Sequence, residues 1–399
     1  MPIDKEGEKI VVFKPEKEFE QKKVSLGQWR MGRSQYVKDG GIILGDRALF
    51  QNGYLVDMET GKLSYVDILC KDGIVEEIRP AGSFNDETKQ IRYLYEMGDG
   101  YILPNFYNAF CDSQEVFRKN FGLELDDEEL KAMGKKIMVE KNVLSGVNYD
   151  NAEMLAEGVK VLQNVVEKTE EELSKLSEDV AKSGDILYLK VGQDLNELGE
   201  VDKIYKKPLP YVLEDFGFLD RNPRLVGGNC FEKDDLQFLR DSIPLYIVCP
   251  HEDAKFGRRP VNLKTLNHLG FNLAIGSGHA FEMDFFAYMR QIITSQRQMF
   301  ESSDCITEKE VYQMACLYPQ TLKVGDRADF IVVKEGCNLY DDVFNALVWG
   351  KSKQDIIMSV YGGKTIQVNG RLCGLLEGSF MIPEIGKLKK KIKEKKNDN

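Results

Sequence analysis

The feature that most constrains the fold is an alternation of short apolar segments with helical stretches in the second half of the chain. The apolar segments are too short for buried helices, and several are apolar at consecutive positions, which is typical of strands covered on both faces. Strands and helices in turn predict a parallel sheet or a barrel. The predicted strands are residues 186–191, 225–226, 245–249 and 271–275.

Two β-rich blocks flank this region. In the first block, from Ala48, the dipeptides Asn52-Gly53 and Asp72-Gly73 separate apolar runs. Such dipeptides favour hairpin turns, because both turn residues adopt positive φ. The second block contains the runs 327–333, 358–361 and 365–368, followed by Asn369-Gly370. The chain is therefore expected to run from β-block to α/β region to β-block.

Between the first β-block and the alternating region the pattern is helical. The acidic residues 126–129 precede Leu130, as at the start of a helix. Residues 150–183 carry apolar side chains at helical spacing and predict a long amphipathic helix pair. Further along, Thr307 with Glu310 three residues later predicts another helix start through a capping box.

The net charge and the cysteine spacing limit the partners and the cellular setting that are expected for this chain. The formal net charge of -11 on 399 residues argues against nucleic acid or an anionic membrane as partner. The eight cysteines are scattered without disulfide-type spacing, which predicts a reduced, cytoplasmic setting. The sequence contains no run of about 18 apolar residues, so no membrane-spanning helix is predicted. Only three histidines occur, which is few for a metal enzyme.

Several segments share one resemblance. The run 325–333, Gly-Asp-Arg-Ala-Asp-Phe-Ile-Val-Val, and the run 355–370, which ends in Val-Asn-Gly, look like the closing strands of a composite β-domain. The run 101–113, which begins Tyr-Ile-Leu-Pro-Asn-Phe-Tyr-Asn, looks like a first barrel strand. Together with 249–261 and 269–276, they resemble the amidohydrolase superfamily, in the branch of aminohydrolases, chlorohydrolases and deaminases.

This resemblance implies an α/β fold, namely an amidohydrolase-like (β/α) TIM barrel with a small β-sandwich domain formed from both chain ends. The central segment is short, so one or two of the eight strand–helix units are expected to be reduced or missing. The implied boundaries are an N-terminal extension at 1–46, sandwich parts at 47–103 and 324–380, the barrel at 104–323, and a Lys-rich, frayed tail at 381–399.

The family's chemistry needs a divalent metal, held by imidazoles and a carboxylate, that activates water for attack on a carbon bonded to nitrogen. The positions that the resemblance assigns to the ligands and to the proton-shuttling glutamate hold Phe110, Asp112, Lys190, Gln193, Gly227, Cys230 and Gly278. Phenylalanine and glycine have no ligating side chain, protonated lysine binds zinc poorly, and glutamine is no general base. We therefore expect the metal site to be lost and no cofactor to be bound.

Lys190 stands out among these substitutions. A lysine that points into an apolar barrel mouth is costly to bury without a partner. Asp112 occupies another of the ancestral ligand positions, so a salt bridge between Lys190 and Asp112 is predicted where the metal was.

Other polar residues remain at the predicted C-terminal ends of the barrel strands, where barrel enzymes place their chemistry. Side by side they would form a thiolate-rich metal site or a Cys-His nucleophile pair. Buried cysteines acting as small hydrophobes, and a hydrogen-bonded loop histidine, account for them as well. These residues are Cys111, Asp112, Cys230, Cys249, His251, Asp253 and His279, while Arg258 and Arg259 are expected to be solvated charges.

Candidate roles follow from these positions. The residues considered for catalysis are Asp112, Lys190, Cys230 and His279. A ligand pocket would use the seven ancestral metal-site positions together with His251 and His279.

Three functions remain open. The leading hypothesis is a metal-free pseudoenzyme that binds a small-molecule ligand at the barrel mouth or a partner subunit, as a homo-oligomer or beside a related chain. The alternative is a divergent hydrolase with a rebuilt Cys/His/Asp site, acting on cyclic amide, amidine or purine-like substrates. The third is a purely structural subunit, which differs from the first in lacking a pocket.

Overall fold

The structure is a computed structural model that describes residues 11–13, 22–24, 47–84, 91, 93–157, 159–317, 319–336, 340, 342–373 and 385–397. The chain divides into two compact units. The composite unit comprises Met1–Phe106, Glu140–Ala152 and Tyr318–Glu384, and the parallel unit comprises Tyr107–Val139, Glu153–Leu317 and Ile385–Asn399.

The strands are named in chain order. They are β1 (Val11–Phe13), β2 (Lys22–Val24), β3 (Arg47–Val56), β4 (Leu63–Lys71), β5 (Ile74–Pro80), β6 (Tyr93–Leu103), β7 (Lys160–Leu162), β8 (Leu187–Val191), β9 (Arg224–Gly227), β10 (Leu245–Val248), β11 (Leu273–Ile275), β12 (Phe330–Val333), β13 (Ile356–Tyr361), β14 (Lys364–Val368) and β15 (Arg371–Leu372).

The helices are named in the same way. They are α1 (Ser113–Phe121), α2 (Glu128–Leu144), α3 (Tyr149–Glu157), α4 (Glu170–Ser183), α5 (Leu195–Tyr205), α6 (Leu209–Asp215), α7 (Lys233–Leu239), α8 (Pro250–Lys255), α9 (Leu263–Leu269), α10 (Phe285–Phe300), α11 (Glu308–Cys316), α12 (Val343–Gly350) and α13 (Ile385–Asn397). None of the described helices is both long and apolar enough to cross a membrane.

The composite unit is built on one sheet that draws strands from both ends of the chain. Its main order is β15-β14-β13-β12-β6-β3-β4-β5, with β6 antiparallel to β12 and parallel to β3. The sheet curls back on itself, because Ile74 at its far end forms a bridge with Arg327 just before β12. Alternate side chains then face one apolar core, which includes Phe50, Ile68 and Phe330.

Of two turns predicted in the first β-block, one is confirmed and one is wrong. Asp72 and Gly73 form the turn between β4 and β5, both at positive φ, as predicted. The hairpin predicted at Asn52-Gly53 is wrong, because these residues lie inside β3 at a register irregularity opposite β4 and β6. Positive φ at Asn52 serves a bulge there, which uses the same residue types as a turn.

The parallel unit contains a sheet of five parallel strands in sequential order, from β7 to β11. The segment 109–111 continues it beyond β11, since the Ala109 N–H donates to the Ile275 carbonyl and the Gly278 N–H donates to the Phe110 carbonyl. The sequence predicts that residues 101–103 belong to the first barrel strand together with this segment. They instead end β6, where Ile102 pairs with Val332 in the composite sheet.

Two further expectations are corrected. The predicted helix pair over 150–183 is interrupted by β7, because Leu162 satisfies helical spacing yet pairs with Leu189 of β8. The segment 381–399, predicted as a frayed tail, contains a helix, α13, whose Leu388 and Ile392 are buried. In contrast, the Thr307 capping box opens α11 as predicted.

Candidate functional site

Three polar side chains from separate elements meet at the C-terminal ends of the parallel strands. Lys190 lies at the end of β8, Glu252 lies in α8 directly after β10, and His279 follows β11. The Lys190 Nζ atom lies 2.8 Å from Glu252 Oε1 and 2.9 Å from His279 Nε2. The Lys190 and Glu252 side chains are only 3% and 1% exposed, so their charges have almost no water to screen them.

Glu252 is the centre of this buried ionic cluster. Its Oε1 also accepts from Arg258 Nη1 at 2.9 Å, and its Oε2 accepts from the backbone N–H of His279 at 3.1 Å. Burial alone would raise the pKa of Glu252, but the charge of Lys190 and the hydrogen bonds from Lys190 and Arg258 lower that pKa below its ordinary value. The carboxylate is therefore held ionised and fully engaged.

His279 takes the neutral form in this cluster. Burial, followed by the charge of Lys190, lowers the pKa of His279 to about 4. A neutral ring accepts the Lys190 hydrogen bond at Nε2, so the ring proton belongs on Nδ1. The Nδ1 atom faces Glu252 Oε2 at 3.3 Å.

The segment 109–111, which continues the parallel sheet beyond β11, contributes packing to the cluster. The Phe110 ring is fully buried, packs on Tyr188 with centroids 5.2 Å apart, and lies 5.6 Å from Lys190 Nζ. Asp112 instead caps α1, because its Oδ1 accepts from the Glu115 N–H at 3.1 Å. Burial raises the pKa of Asp112.

The predicted salt bridge between Lys190 and Asp112 is therefore wrong. Within the described residues, the carboxylate that pairs with Lys190 belongs to Glu252. The expectation that Arg258 is a solvated charge is wrong as well, because its side chain is only 19% exposed and binds Glu252. The sequence shows Glu252 as an ordinary acidic residue in the first turn of a helix, which hides its role.

Two of the positions that the resemblance assigns to metal ligands hold glycines with no room for a side chain. Gly278 has φ +58°, and a Cβ built there would lie 2.2 Å from Glu252 Oε2. Gly227 has φ +88°, and its Cβ would lie 2.8 Å from the Gln193 side chain. Glu252 and Gln193 thus occupy the space that side chains at these two positions would need.

The candidate cysteines Cys111, Cys230 and Cys249 do not form a reactive site. Burial raises the pKa of Cys111 to about 12, and it raises the pKa values of Cys249 and Cys230 as well. Thiols in this state are protonated and are poor nucleophiles and metal ligands. Cys230 Sγ donates to the Gln193 carbonyl at 3.6 Å.

His251 does not join the buried cluster. It is solvent-exposed at the start of α8, with its ring 5.9 Å from that of Tyr288. No hydrogen bond or ion pair among the described residues joins His251 to a cysteine, so the structure does not form the Cys-His pair considered for His251.

Two carboxyl groups near the cluster have shifted acidities. Burial raises the pKa of Asp253 to about 6, although Arg258 lies 3.7 Å away. Burial raises the pKa of Glu197 to about 7, while its Oε2 accepts from the Gln193 N–H at 3.0 Å. Sequence reasoning missed Glu197, which looks like an ordinary first-turn residue of α5.

The donor set does not fit a divalent metal. A zinc site needs several unprotonated nitrogen, sulfur or oxygen ligands that converge on one point. Here the convergent groups are a lysine ammonium, a carboxylate that two cations already engage, and a ring nitrogen that accepts from the lysine. In the part of the chain that the structure describes, no group of three His, Cys, Asp or Glu residues is arranged to hold a metal ion.

Comparison with known proteins places the fold. No family model matches the sequence. The 5'-deoxyadenosine deaminase of Methanosarcina acetivorans is 24% identical over 220 residues, which is 51% of this chain and 50% of that protein. The match therefore spans about half the length of this curated relative.

Solved structures agree over most of the chain. A zinc-bound adenosine deaminase from Xanthomonas campestris has a TM-score of 0.67 at 11% identity, covering 88% of this chain and 98% of its own. The E. coli guanine deaminase has a TM-score of 0.64 at 12% identity, covering 81% and 99%. An amidohydrolase from Brucella melitensis has a TM-score of 0.58 at 12% identity, covering 82% and 95%. The α/β fold of amidohydrolase-type barrel proteins is thereby confirmed.

Proposed function

We propose that this protein is a metal-free relative of C–N hydrolases, in which a buried ionic cluster takes the place of the catalytic metal. In this proposal the protein acts by binding a partner subunit and not by hydrolysis. The support for the ancestry is the fold it shares with deaminases and with an amidohydrolase.

The observation that carries the proposal is the pair of Lys190 and Glu252. Hydrolysis requires a group that is free to take a proton from water, or a metal that acidifies the water. Glu252 is held ionised by two cations, and the accepting nitrogen of His279 is already bonded to Lys190. Neither group has a position left for an attacking water molecule.

The same packing favours a partner protein over a small ligand. The Lys190 and Glu252 side chains are 3% and 1% exposed, and Phe110 is fully buried. These side chains fill the centre where a substrate would meet a metal. A macromolecular partner needs only the outer surface, which this filling leaves intact.

The alternative is a divergent hydrolase that uses carboxyl groups. Asp253 and Glu197 favour it to a degree, since their pKa values of about 6 and about 7 lie in the range suited to general acid–base catalysis. The protonated thiols of Cys111 and Cys249 weigh against a version that uses a cysteine nucleophile.

The test is ammonia release by the purified full chain, with and without added zinc. The substrates are adenosine, 5'-deoxyadenosine and guanine, chosen from the names of the similar proteins. We expect no ammonia above the protein-free blank, while an active adenosine deaminase serves as positive control. Saturable release that the Asp253→Asn variant abolishes would establish the hydrolase instead.

A further inference from the structure

The C-terminal helix α13 is anchored to the parallel unit by its apolar side. Leu388 is fully buried and Ile392 is 8% exposed, one helical turn apart. Lys391 contacts Glu129 of α2, and Lys389 Nζ lies 5.7 Å from the Phe121 ring of α1. The helix therefore has a fixed position on α1 and α2.

The outer side of α13 is strongly basic. The helix carries seven lysines and one glutamate in a chain whose formal net charge is -11. We define the basic face as Lys387, Lys389, Lys390 and Lys393, all of which are exposed. Within the described residues, Lys390 pairs with Glu394, whereas Lys387 and Lys393 have no ion pair.

An acidic surface adjoins the basic face. We define the acidic loop as Glu124, Asp126 and Glu128, which lie exposed between the end of α1 and the first turn of α2. The Glu128 side chain is 92% exposed. Because Lys391 contacts Glu129 in the same turn, the acidic loop and the basic face are neighbours on the parallel unit.

We propose that the basic face and the acidic loop form a contact between two copies of this chain. In a two-fold dimer each surface meets its counterpart on the partner, so one patch with adjacent positive and negative areas complements itself. The basic face of one copy would lie on the acidic loop of the other, twice in each dimer. This inference does not depend on the proposed function.

A polyanion fits the same surface less well. Nucleic acid or an anionic membrane laid on the basic face would also meet the acidic loop, and the net charge of -11 opposes its approach. Leu388 and Ile392 are buried in the protein, so neither side chain is free to insert into a bilayer. A second copy presents both signs of charge in the required places.

The contact should be weak and sensitive to salt. A helix of this length spans about 20 Å, which covers part of the roughly 800 Å² per partner that a stable interface buries. Exposed ion pairs each contribute little and are screened by salt. We expect a dimer at low ionic strength that dissociates at high ionic strength.

The experiment is sedimentation velocity on the full-length chain in about 50 mM and about 500 mM NaCl, conditions that differ several-fold in screening. Lys387→Glu with Lys393→Glu reverses the basic face, and Glu124→Lys with Asp126→Lys reverses the acidic loop. Each double variant should weaken the low-salt dimer at least about tenfold, because like charges then face each other. Lys175→Glu with Lys203→Glu, on α4 and α5, is the matched control and should leave the dimer unchanged.

Mixing the two reversed variants is the decisive arm. Each is expected to be monomeric alone, but together they should form a dimer, because every contact between them regains opposite charges. A wild-type monomer at low salt, a dimer that neither reversal weakens, or a mixture that stays monomeric would overturn the proposal. So would a monomer that binds duplex DNA or phosphatidylserine vesicles through the basic face.

Discussion

The composite unit and the C-terminal end of the parallel sheet bury their side chains in opposite ways. In the composite unit, aromatic and aliphatic residues such as Phe50, Phe330 and Val360 form a core without exposed surface. At the end of the parallel sheet, the buried residues include the ion pair of Lys190 and Glu252. Apolar burial is non-directional and tolerates similar side chains, whereas a buried ion pair loses its balance when either partner is removed.

The largest effect should come from breaking the ion pair. Lys190→Met leaves the Glu252 charge without its closest cation in a site closed to water. We expect the free energy of unfolding to fall by about 3–5 kcal/mol, as is typical when one partner of a buried pair is removed. Urea denaturation followed by circular dichroism measures this loss.

The double variant isolates the pairing energy. Lys190→Met with Glu252→Gln should recover at least about 2 kcal/mol relative to the sum of the single losses, since no buried charge of this pair is left alone. The exposed pair of Lys182 and Glu178 is the matched control, and Lys182→Met there should cost under about 0.5 kcal/mol. Additive losses at 190 and 252 would mean that the two side chains do not depend on each other.

The next prediction tests whether position 278 can accept the carboxylate that the resemblance predicts there. Gly278→Asp would restore the carboxylate that the resemblance predicts for a metal site. Its Cβ would collide with Glu252 Oε2, and its backbone would keep φ near +58°. We expect a loss of more than about 2 kcal/mol in unfolding free energy. The measurement is thermal unfolding with and without zinc, and stabilisation by zinc would contradict this expectation.

A smaller effect should depend on pH. Burial raises the pKa of Asp253 from 3.8 to about 6, so the folded state retains the Asp253 proton more strongly than the unfolded state does. Wild type should therefore lose stability relative to Asp253→Asn as pH rises from about 4 to about 7, on the order of 2 kcal/mol. Urea unfolding of both proteins across this range measures the difference.

The direct comparison with Asp253→Asn is needed because His279 acts in the opposite sense. Its pKa is lowered from 6.5 to about 4, so its contribution is present above pH 6.5 and is lost as pH falls. Since both proteins contain His279, its effect cancels in their difference. A stability difference that stays constant between pH 4 and pH 7 would show that Asp253 does not titrate as described.

The smallest effect should be the same in both regions. Ile102→Val in the composite core and Ile247→Val in the parallel sheet each remove one methylene from a fully buried side chain. Each should cost about 1 kcal/mol. Chemical denaturation at pH 5 and pH 8 should give the same loss of unfolding free energy. A pH-dependent loss at either position would contradict the distinction between apolar and ionic burial.

The sequence predicts the fold correctly where the local sequence pattern and the tertiary packing favour the same element. The apolar strands β8 to β11, the Asp72-Gly73 turn and the Thr307 capping box all follow from short-range patterns. The sequence does not reveal strand β7, because Leu162 also fits the helical period of the apolar residues around it. Short apolar segments satisfy both periods, and only the neighbouring strand decides between them.

The sequence predicts only part of the candidate site. The sequence identified Lys190 and His279 as unusual, and the structure joins them by a hydrogen bond. It assigned the wrong carboxylate, because Asp112 and Glu252 both stand at helix starts, where acidic residues are ordinary. Which of them turns inward depends on the packing of separate strands, and no local pattern records that choice.

The central proposal is that the ion pair of Lys190 and Glu252 takes the place of a catalytic metal. Elemental analysis of the full-length protein, purified without chelator and dialysed against zinc, tests it most directly. The account predicts less than about 0.1 equivalent of zinc, manganese or iron per chain, because the convergent groups are a lysine, an engaged carboxylate and a hydrogen-bonded histidine. About one equivalent of metal, lost on Glu252→Gln substitution, would contradict the account.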